Sequence, residues 1–435
     1  MRGLPGNDQM IRTYIHNTWW LFLEKVTRII VTLVVWGAVI RYLGPEQFGV
    51  FSYALSYVFL FGMLADLGME TILVKDLVER PGDRPVLLGS AFLLRFSGAG
   101  AACVLILLSF CFWVHEPLTR MAIVFMALRL FFAPFSNIDS FFQSKVMSKY
   151  TVYAQLMSLV STSVLCLAFV YGHKPLFYFV GVAVAEAAVA AAGFVYFYRR
   201  VQDDRWICDV NVMRHLLSRS WPLVIMGFAI AVYMRLDQLM IQHMLGNAAV
   251  GQYAVAVRVS EAFYFIPMIV TTSLFPAIVQ ARMKGPDVYH ARLRALSSLL
   301  VWVSLGLVGL FMIGAKALIQ LFFGPEYMPA VGVLMLHIWA SVFVFLGVLR
   351  GKWAVNEHLQ NLIMIYTVLG ALINVGLNLL WIPLWGIQGA ALATVAAQGF
   401  AATFSNLLHP KTRPMFFMQM QAFNPVCLMR PWWRA

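Results

Sequence analysis

Apolar residues run along this chain in blocks of roughly 20, apolar on all faces and separated by short polar breaks. An α-helix needs about that length to cross ~30 Å of hydrocarbon, whereas barrel strands would be about 10 residues long and would alternate. The pattern predicts twelve spans, at 18–40, 48–70, 88–113, 120–142, 150–171, 175–198, 220–242, 250–279, 295–322, 328–349, 359–382 and 386–408. The connections between them are too short to hold a folded extramembrane domain. The longest internal one, 199–219, is basic and divides the spans six and six. The expected organisation is an N-terminal segment 1–17, a first six-helix lobe 18–198, the linker 199–219, a second lobe 220–408 and a basic, aromatic tail 409–435.

Composition narrows the class further. The 435 residues are 61% hydrophobic and 12% charged, with a mean hydropathy of +0.78. Soluble domains carry about 45–50% apolar and about 25% charged residues, so a soluble enzyme and a disordered scaffold are both excluded. The net charge of +13 tests the span count. With a cytoplasmic N-terminus, 22 Lys and Arg fall in inside segments and three, Arg41, Arg120 and Lys174, fall outside. Cytoplasmic loops accumulate such residues, and a missed span would invert every later loop. The expectation is an even number of spans with both termini cytoplasmic, and the positive charge requires no nucleic-acid partner. Cys103, Cys111, Cys166, Cys208 and Cys427 are scattered, and the histidines lack ligand spacing, so neither a disulfide framework nor a metal site is expected. The first apolar run is long and lacks a small-residue cleavage site, unlike a secretory signal.

The halves look related. Leu43-Gly44 followed by Gly49-Val50-Phe51 comes after the first span, and Leu245-Gly246 followed by Gly251-Gln252-Tyr253 comes after the seventh. Both read LGxxxxGx[FY] at an offset of 202. With six spans in each half, the repeat would be parallel, which places a substrate site between the lobes.

Seven basic residues fall within spans: Lys25, Arg28, Arg95, Arg129, Arg235, Arg258 and Lys316. Lys316 and Arg95 lie near span ends, where snorkelling serves them. Each ionised side chain at the bilayer centre costs about 2.5–3.5 kcal/mol on insertion scales. Glu24 and Arg28 are spaced i,i+4, and Arg258 and Glu261 i,i+3, so both can pair along one helix face. Arg235 and Asp237, two apart, point to different faces and need other partners. Asp66, Asp139 and Glu186 are further intramembrane acids. Structural ion pairing between packed helices is one reading of these charges. The other is a basic cavity lined by Lys25, Arg28, Arg129, Arg235 and Arg258 that selects an anionic passenger; arginine forks suit phosphate oxygens. Asn374 and Asn378, i,i+4 on the eleventh span, read as helix-to-helix hydrogen bonding.

Several strings then carry a resemblance: Asn17-x-x-Trp20-Leu21-x-x-Glu24-Lys25, Arg41-Tyr42-Leu43-Gly44-Pro45-Glu46-Gln47-Phe48-Gly49, Asp66-Leu67-Gly68, Phe323-Gly324-Pro325-Glu326-Tyr327, and Asn374-x-x-x-Asn378-x-x-x-Ile382-Pro383-x-x-Gly386-x-x-Gly389-Ala390-Ala391-x-Ala393-Thr394. They resemble bacterial polysaccharide exporters, the O-antigen-type lipid-linked oligosaccharide flippases of the multidrug/oligosaccharidyl-lipid/polysaccharide superfamily. The resemblance implies an all-α polytopic membrane protein of about twelve helices in two lobes, forming a V that opens alternately to each side. It implies a bacterial inner-membrane location and a passenger made of a polyprenyl diphosphate bearing a sugar repeat unit, with polymerase or glycosyltransferase partners.

The expected function is a flippase for surface-polysaccharide assembly, working by alternating access. Lys25, Arg28, Arg235, Arg258 and more weakly Arg129 would neutralise the diphosphate, with Glu24 in support. Asp66, Asp237 and Glu261 are the candidates for coupling to a proton or sodium gradient. No other cofactor is expected. A multidrug antiporter on the same scaffold is the alternative. A membrane-embedded glycan polymerase or transferase is disfavoured by the short outer loops, and ATP-driven pumping by the lack of a GxxxxGK[ST] motif.

Overall fold

The computed structural model of the chain describes residues 23–111, 114, 116–202 and 204–425. The segment 1–17, the start of the first expected span with Asn17, Trp20 and Leu21, and the tail residues Cys427, Arg430, Trp432, Trp433 and Arg434 lie outside the described residues. The described residues form helices and turns, with no strand.

A helix over 23–31 passes through the π turn Thr32–Trp36 into α1 (Gly37–Asp66). After it come α2 (Glu70–Glu79), α3 (Arg84–Ser109), α4 (Pro117–Ala127), the 3₁₀ segment Leu128–Ser136, α5 (Asn137–Ser144), α6 (Ser148–Tyr171) and α7 (Leu176–Val201). The rest comprises α8 (Val210–Leu245), α9 (Asn247–Glu261), α10 (Phe265–Lys284), α11 (Pro286–Phe322), α12 (Ala330–His337), α13 (Ala340–Asn356), α14 (Gln360–Ala402) and α15 (Arg413–Gln421).

Among the described residues, ten helical runs are long and apolar enough to cross a membrane. Two are long enough for two crossings: Leu23–Glu79 has 57 residues and Gln360–Leu407 has 48, against about 20 for one passage of the hydrocarbon core. Both are broken by glycine. Gly44 takes φ 70° and ψ 172° inside α1, and Gly386 takes φ 59° and ψ −140° inside α14. Side chains with a Cβ avoid these conformations. Pro45 follows the first break, where its missing N–H is harmless at a new helix start. The breaks fall at the connections expected between the first and second spans and at the start of the twelfth. The expected fourth span is irregular, being helix, 3₁₀ and helix again, and the eighth is interrupted between Glu261 and Phe265.

The chain divides into two compact units at Ala231–Val232, inside α8, rather than in the linker 199–219. The reason is local. The linker docks on the first unit: the Ile207 amide donates to the Pro85 carbonyl (3.1 Å), the Asp209 amide donates to Ser90 Oγ (3.0 Å), and Trp206 packs on Phe92 and Tyr198. Gly89 admits this contact, since a Cβ there would lie 2.3 Å from the Ile207 carbonyl oxygen.

Each unit has its own apolar core. The first is built around Leu73, Leu88, Phe141, Phe142 and Phe194, and the second around Leu293, Leu296, Phe345, Trp353 and Met415. Large apolar side chains such as Ile313 (89% exposed) and Leu384 (69%) point outward along the helices, as a lipid solvent permits. The Ala- and Gly-rich stretches allow close approach: a Cβ on Gly193 would lie 2.9 Å from the Ala154 Cβ. The tail helix α15 belongs to the second core through Met415 and Met418, and Gln419 accepts a 3.2 Å hydrogen bond from Asn406.

Candidate functional site

In the first unit the intramembrane charges converge. Glu24 is 1% exposed, and its carboxylate receives Arg28 Nε at 2.6 Å and Lys25 Nζ at 3.2 Å. The expected i,i+4 pair therefore forms. Arg28 reaches further, with Nη1 3.3 Å from Glu186 on α7 and Nη2 donating to Gln155 on α6 at 3.4 Å. Arg129, in the 3₁₀ segment, interacts electrostatically with the same Glu186. Asp139 on α5 feels Lys25 and Glu70, and accepts hydrogen bonds from Gln143 (3.0 Å) and Thr151. Lys25, Arg28 and Arg129 are thus brought together around Glu24, Glu186 and Asp139. Formally this cluster is close to balanced rather than strongly basic. Exposure distinguishes its cations: the Lys25 side chain is 45% exposed and that of Arg28 31%.

In the second unit Arg235 on α8 clasps Glu261 at the end of α9 through both oxygens, at 2.8 and 3.3 Å. Glu261, expected beside Arg258, is held by Arg235. The fork of Arg235 reaches both oxygens across two helices, where bidentate geometry is strong. Asp237, 1% exposed, accepts a hydrogen bond from the Tyr253 hydroxyl on α9 and one from the Gln238 amide (2.7 Å). From Tyr253 the polar path continues to Thr394 Oγ1 (3.5 Å), which receives Asn374 Nδ2 at 3.5 Å; Asn378 donates to Asn374 at 3.0 Å. The two asparagines are fully buried, and they bond within α14 and across its break to Thr394. Nearby, Ser260 and His337 Nδ1 lie 2.6 Å apart. Arg258 is half-buried on α9.

The three candidate coupling acids differ in their partners. Asp66, at the end of α1, forms an ion pair with Arg95, whose guanidinium also donates to Ser136 Oγ (2.9 Å) and Asn137 Oδ1 (2.6 Å). Arg95 is 4% exposed, so it ties helices together inside the unit rather than snorkelling to water. Its partners stand on α1, at the end of the 3₁₀ segment and at the start of α5, which hydropathy does not bring together. Glu261 is paired with Arg235. Asp237 alone among the three has no cation at ion-pair distance among the described residues. It is buried and held by a phenol and an amide, with Arg235 acting on it electrostatically rather than by contact.

Two features escaped the sequence reading. Tyr253 is the terminal aromatic of the second LGxxxxGx[FY] string, and Thr394 ends the Asn-rich string; both were visible as motif positions without a chemical role. Arg350, counted among the inside loop charges, is 4% exposed within α13 and donates to the Ala401 carbonyl and to Ser405 Oγ (3.3 Å). A cation there meets the negative end of α14's dipole. Among the described residues, no group of three or more His, Cys, Asp or Glu is placed to hold a metal ion.

The helical architecture and its apolar runs define a polytopic membrane protein. The chain belongs to the polysaccharide biosynthesis protein family, whose sequence profile matches residues 14–282. It is 30% identical over 196 residues to a Haloferax volcanii protein described as flippase AglR, covering 41% of this chain and 38% of that one. It is 21% identical over 330 residues to an Escherichia coli K12 protein described as an O-antigen transporter, covering 74% and 78%. Among solved structures, an inward-facing multidrug-resistance MATE transporter of the MOP superfamily matches with a TM-score of 0.69 at 13% identity, over 91% of this chain and 94% of that one. The lipid II flippase MurJ in an inward closed conformation matches with a TM-score of 0.67 at 12% identity, over 94% and 90%. At such identities these structures establish the fold alone. The two sequence relatives are described as a flippase and a transporter.

Proposed function

We propose that this protein is a flippase that moves polyprenyl-diphosphate-linked oligosaccharide across the bacterial inner membrane by alternating access, through twelve crossings with both termini cytoplasmic. The observation that carries the reading is the cluster around Glu24. An apolar helix places Lys25 and Arg28 side by side, with an acid fixing each, and leaves the ammonium nearly half exposed. A diphosphate entering there would meet Lys25 first and then compete with Glu24 and Glu186 for the Arg28 fork. Arg129, Arg235 and Arg258 complete the proposed set. The polyprenyl chain would stay in lipid while the polar headgroup, which cannot cross ~30 Å of hydrocarbon unaided, moves through the protein.

Asp237 is the acid we assign to ion coupling, ahead of Asp66 and Glu261, which are occupied by arginines. Arg235 attracts Asp237 electrostatically but forms its ion pair with Glu261, and a buried carboxylate with no cation in direct contact is costly. Binding a proton or a sodium ion reversibly would relieve that cost, and the oxygens of Tyr253, Thr394 and Asn374 lie along one path from it.

The test is export of lipid-linked glycan in proteoliposomes or in an exporter-deficient strain. Lys25→Glu and Arg28→Glu should abolish it, and unchanged export would remove the cluster from the passenger's path. The near balance of charge within the Glu24 cluster and the Arg235–Glu261 cluster favours one second reading, a multidrug antiporter. Efflux of a cationic dye that is indifferent to Lys25 and Arg28, with no glycan export, would establish that reading instead.

A further inference from the structure

The end of α7 carries a basic feature that the transport reading leaves unused. A cavity of about 500 Å³ opens there. Phe135, Tyr198 and Trp206 form aromatic walls, Ile138 and Val195 add apolar surface, and Arg199, Asp204 and Arg205 supply the charge. Trp206 is fixed edge-on to Tyr198 at 5.8 Å between ring centroids, so the wall is set by packing.

The charges are not equivalent. Asp204 is already engaged: Arg84 Nε donates to it at 2.7 Å and Gln202 at 3.1 Å. Desolvation pushes its carboxyl up, but the hydrogen bonds from Gln202 and Arg84 and the arginine's charge together hold it below the ordinary carboxylate range. Arg199 and Arg205 have no ion pair or hydrogen bond with any described residue. The cavity therefore presents two guanidinium groups without an ion-pair partner among the described residues, against apolar and aromatic walls. It sits where α7 stops being apolar, and tryptophan with arginine at such a level is the composition of a membrane–water boundary.

We infer that this cavity binds the headgroup phosphate of an anionic phospholipid. The arginine forks match phosphate oxygens. The apolar lining at Ile138, Val195 and Phe135 accommodates the first carbons of the glycerol and acyl chains, which a soluble phosphate would not use. Basic pockets among transmembrane helices commonly take such headgroups. The simpler account is that Arg199 and Arg205 only mark topology and offset the helix dipole, as Arg200 does beside them.

Arg200 makes the distinction possible. It lies over the Tyr196 ring at 4.6 Å, away from the cavity lining, and carries the same charge. The experiment measures lipid retained by the purified full-length protein, by native mass spectrometry after exchange into phosphatidylglycerol or phosphatidylcholine. Arg199→Gln and Arg205→Gln should each weaken phosphatidylglycerol retention about fivefold, since a basic residue near an anionic surface contributes about that factor. Arg200→Gln should leave retention unchanged, and phosphatidylcholine should not be retained. Equal loss in all three variants would overturn the assignment by showing a general charge effect. Displacement of the lipid by inorganic phosphate would overturn it by making the ligand a free anion. All three arginines are exposed, so these variants preserve the fold.

Discussion

The Tyr253 hydroxyl donates to the buried carboxylate of Asp237, joining α9 to α8 in the second unit. The repeat has no such bond in the first. At the offset of 202, Asp237 corresponds to Val35 and Tyr253 to Phe51, and both of those are buried apolar residues. A duplicated scaffold thus carries this polar couple in one half only, so the second unit holds a chemistry that the first has replaced by packing.

Removing the phenol should expose the cost of that carboxylate. Tyr253→Phe leaves Asp237 short of a buried partner, which costs about 1–3 kcal/mol. Pairing it with Asp237→Leu replaces both members by apolar groups and should recover most of the loss. Denaturation of the purified single and double variants measures the coupling; additive losses would show that the two groups do not depend on each other.

The Arg235–Glu261 clasp separates folding from transport. Arg235→Met strands the carboxylate, for a loss of about 3–5 kcal/mol if the site stays dry. Arg235→Met with Glu261→Met should return stability toward wild type while glycan export stays lost. Normal export by the double variant would make the clasp purely structural and take Arg235 out of the proposed site.

The two repeat glycines should respond alike. Gly44 (φ 70°, ψ 172°) and Gly246 (φ 88°, ψ 179°) share one backbone conformation, and a Cβ on Gly246 would meet nothing within 4 Å. The cost of Gly246→Ala is therefore conformational, about 1–3 kcal/mol. Gly100 lies inside α3, also with open space around its Cα, and Gly100→Ala should instead stabilise by about 0.5–1 kcal/mol. Thermal unfolding of the variants reads the opposite signs.

Acid should release the linker. Because Asp204 is held below its ordinary range when folded, the Arg84–Asp204 pair contributes above the unfolded carboxylate value of about 3.9 and fades as the pH falls through the lower folded one. Protection of the amides at residues 204–209, taken relative to the intrinsic exchange rate at each pH, should fall over that interval. In Arg84→Gln the same amides should exchange faster at neutral pH and show a weaker acid response.

Much of the fold was legible because lipid imposes a simple rule: apolar blocks of sufficient length become helices. Gly44 and Gly246 were recognisable as a repeated pair, and the structure gives them the same turn. The break at Gly386 falls where one span was expected to give way to the next, but hydropathy could not show the interruption between Glu261 and Phe265, inside one apolar block, since lipid-facing and buried residues look the same. The partners of the charges were only partly readable. Glu24 with Arg28 follows from helical spacing along one element. Arg28 with Glu186, Arg235 with Glu261 and Asp66 with Arg95 join residues on different helices, whose rotation about their axes no periodicity records. Arg350 was misplaced for a related reason: it stands near a span end, but the carbonyl end of α14 draws it inward.

The docking of residues 204–209 on the first unit bears on how the gene could be divided. A cut within 199–219 looks harmless on a hydropathy plot, yet it would sever a segment that closes one face of the first half and would free Gly89 from the backbone it admits. Halves expressed as separate polypeptides would do better if the upstream piece kept everything through the opening turns of α8, so that each translation product carries its own finished wall.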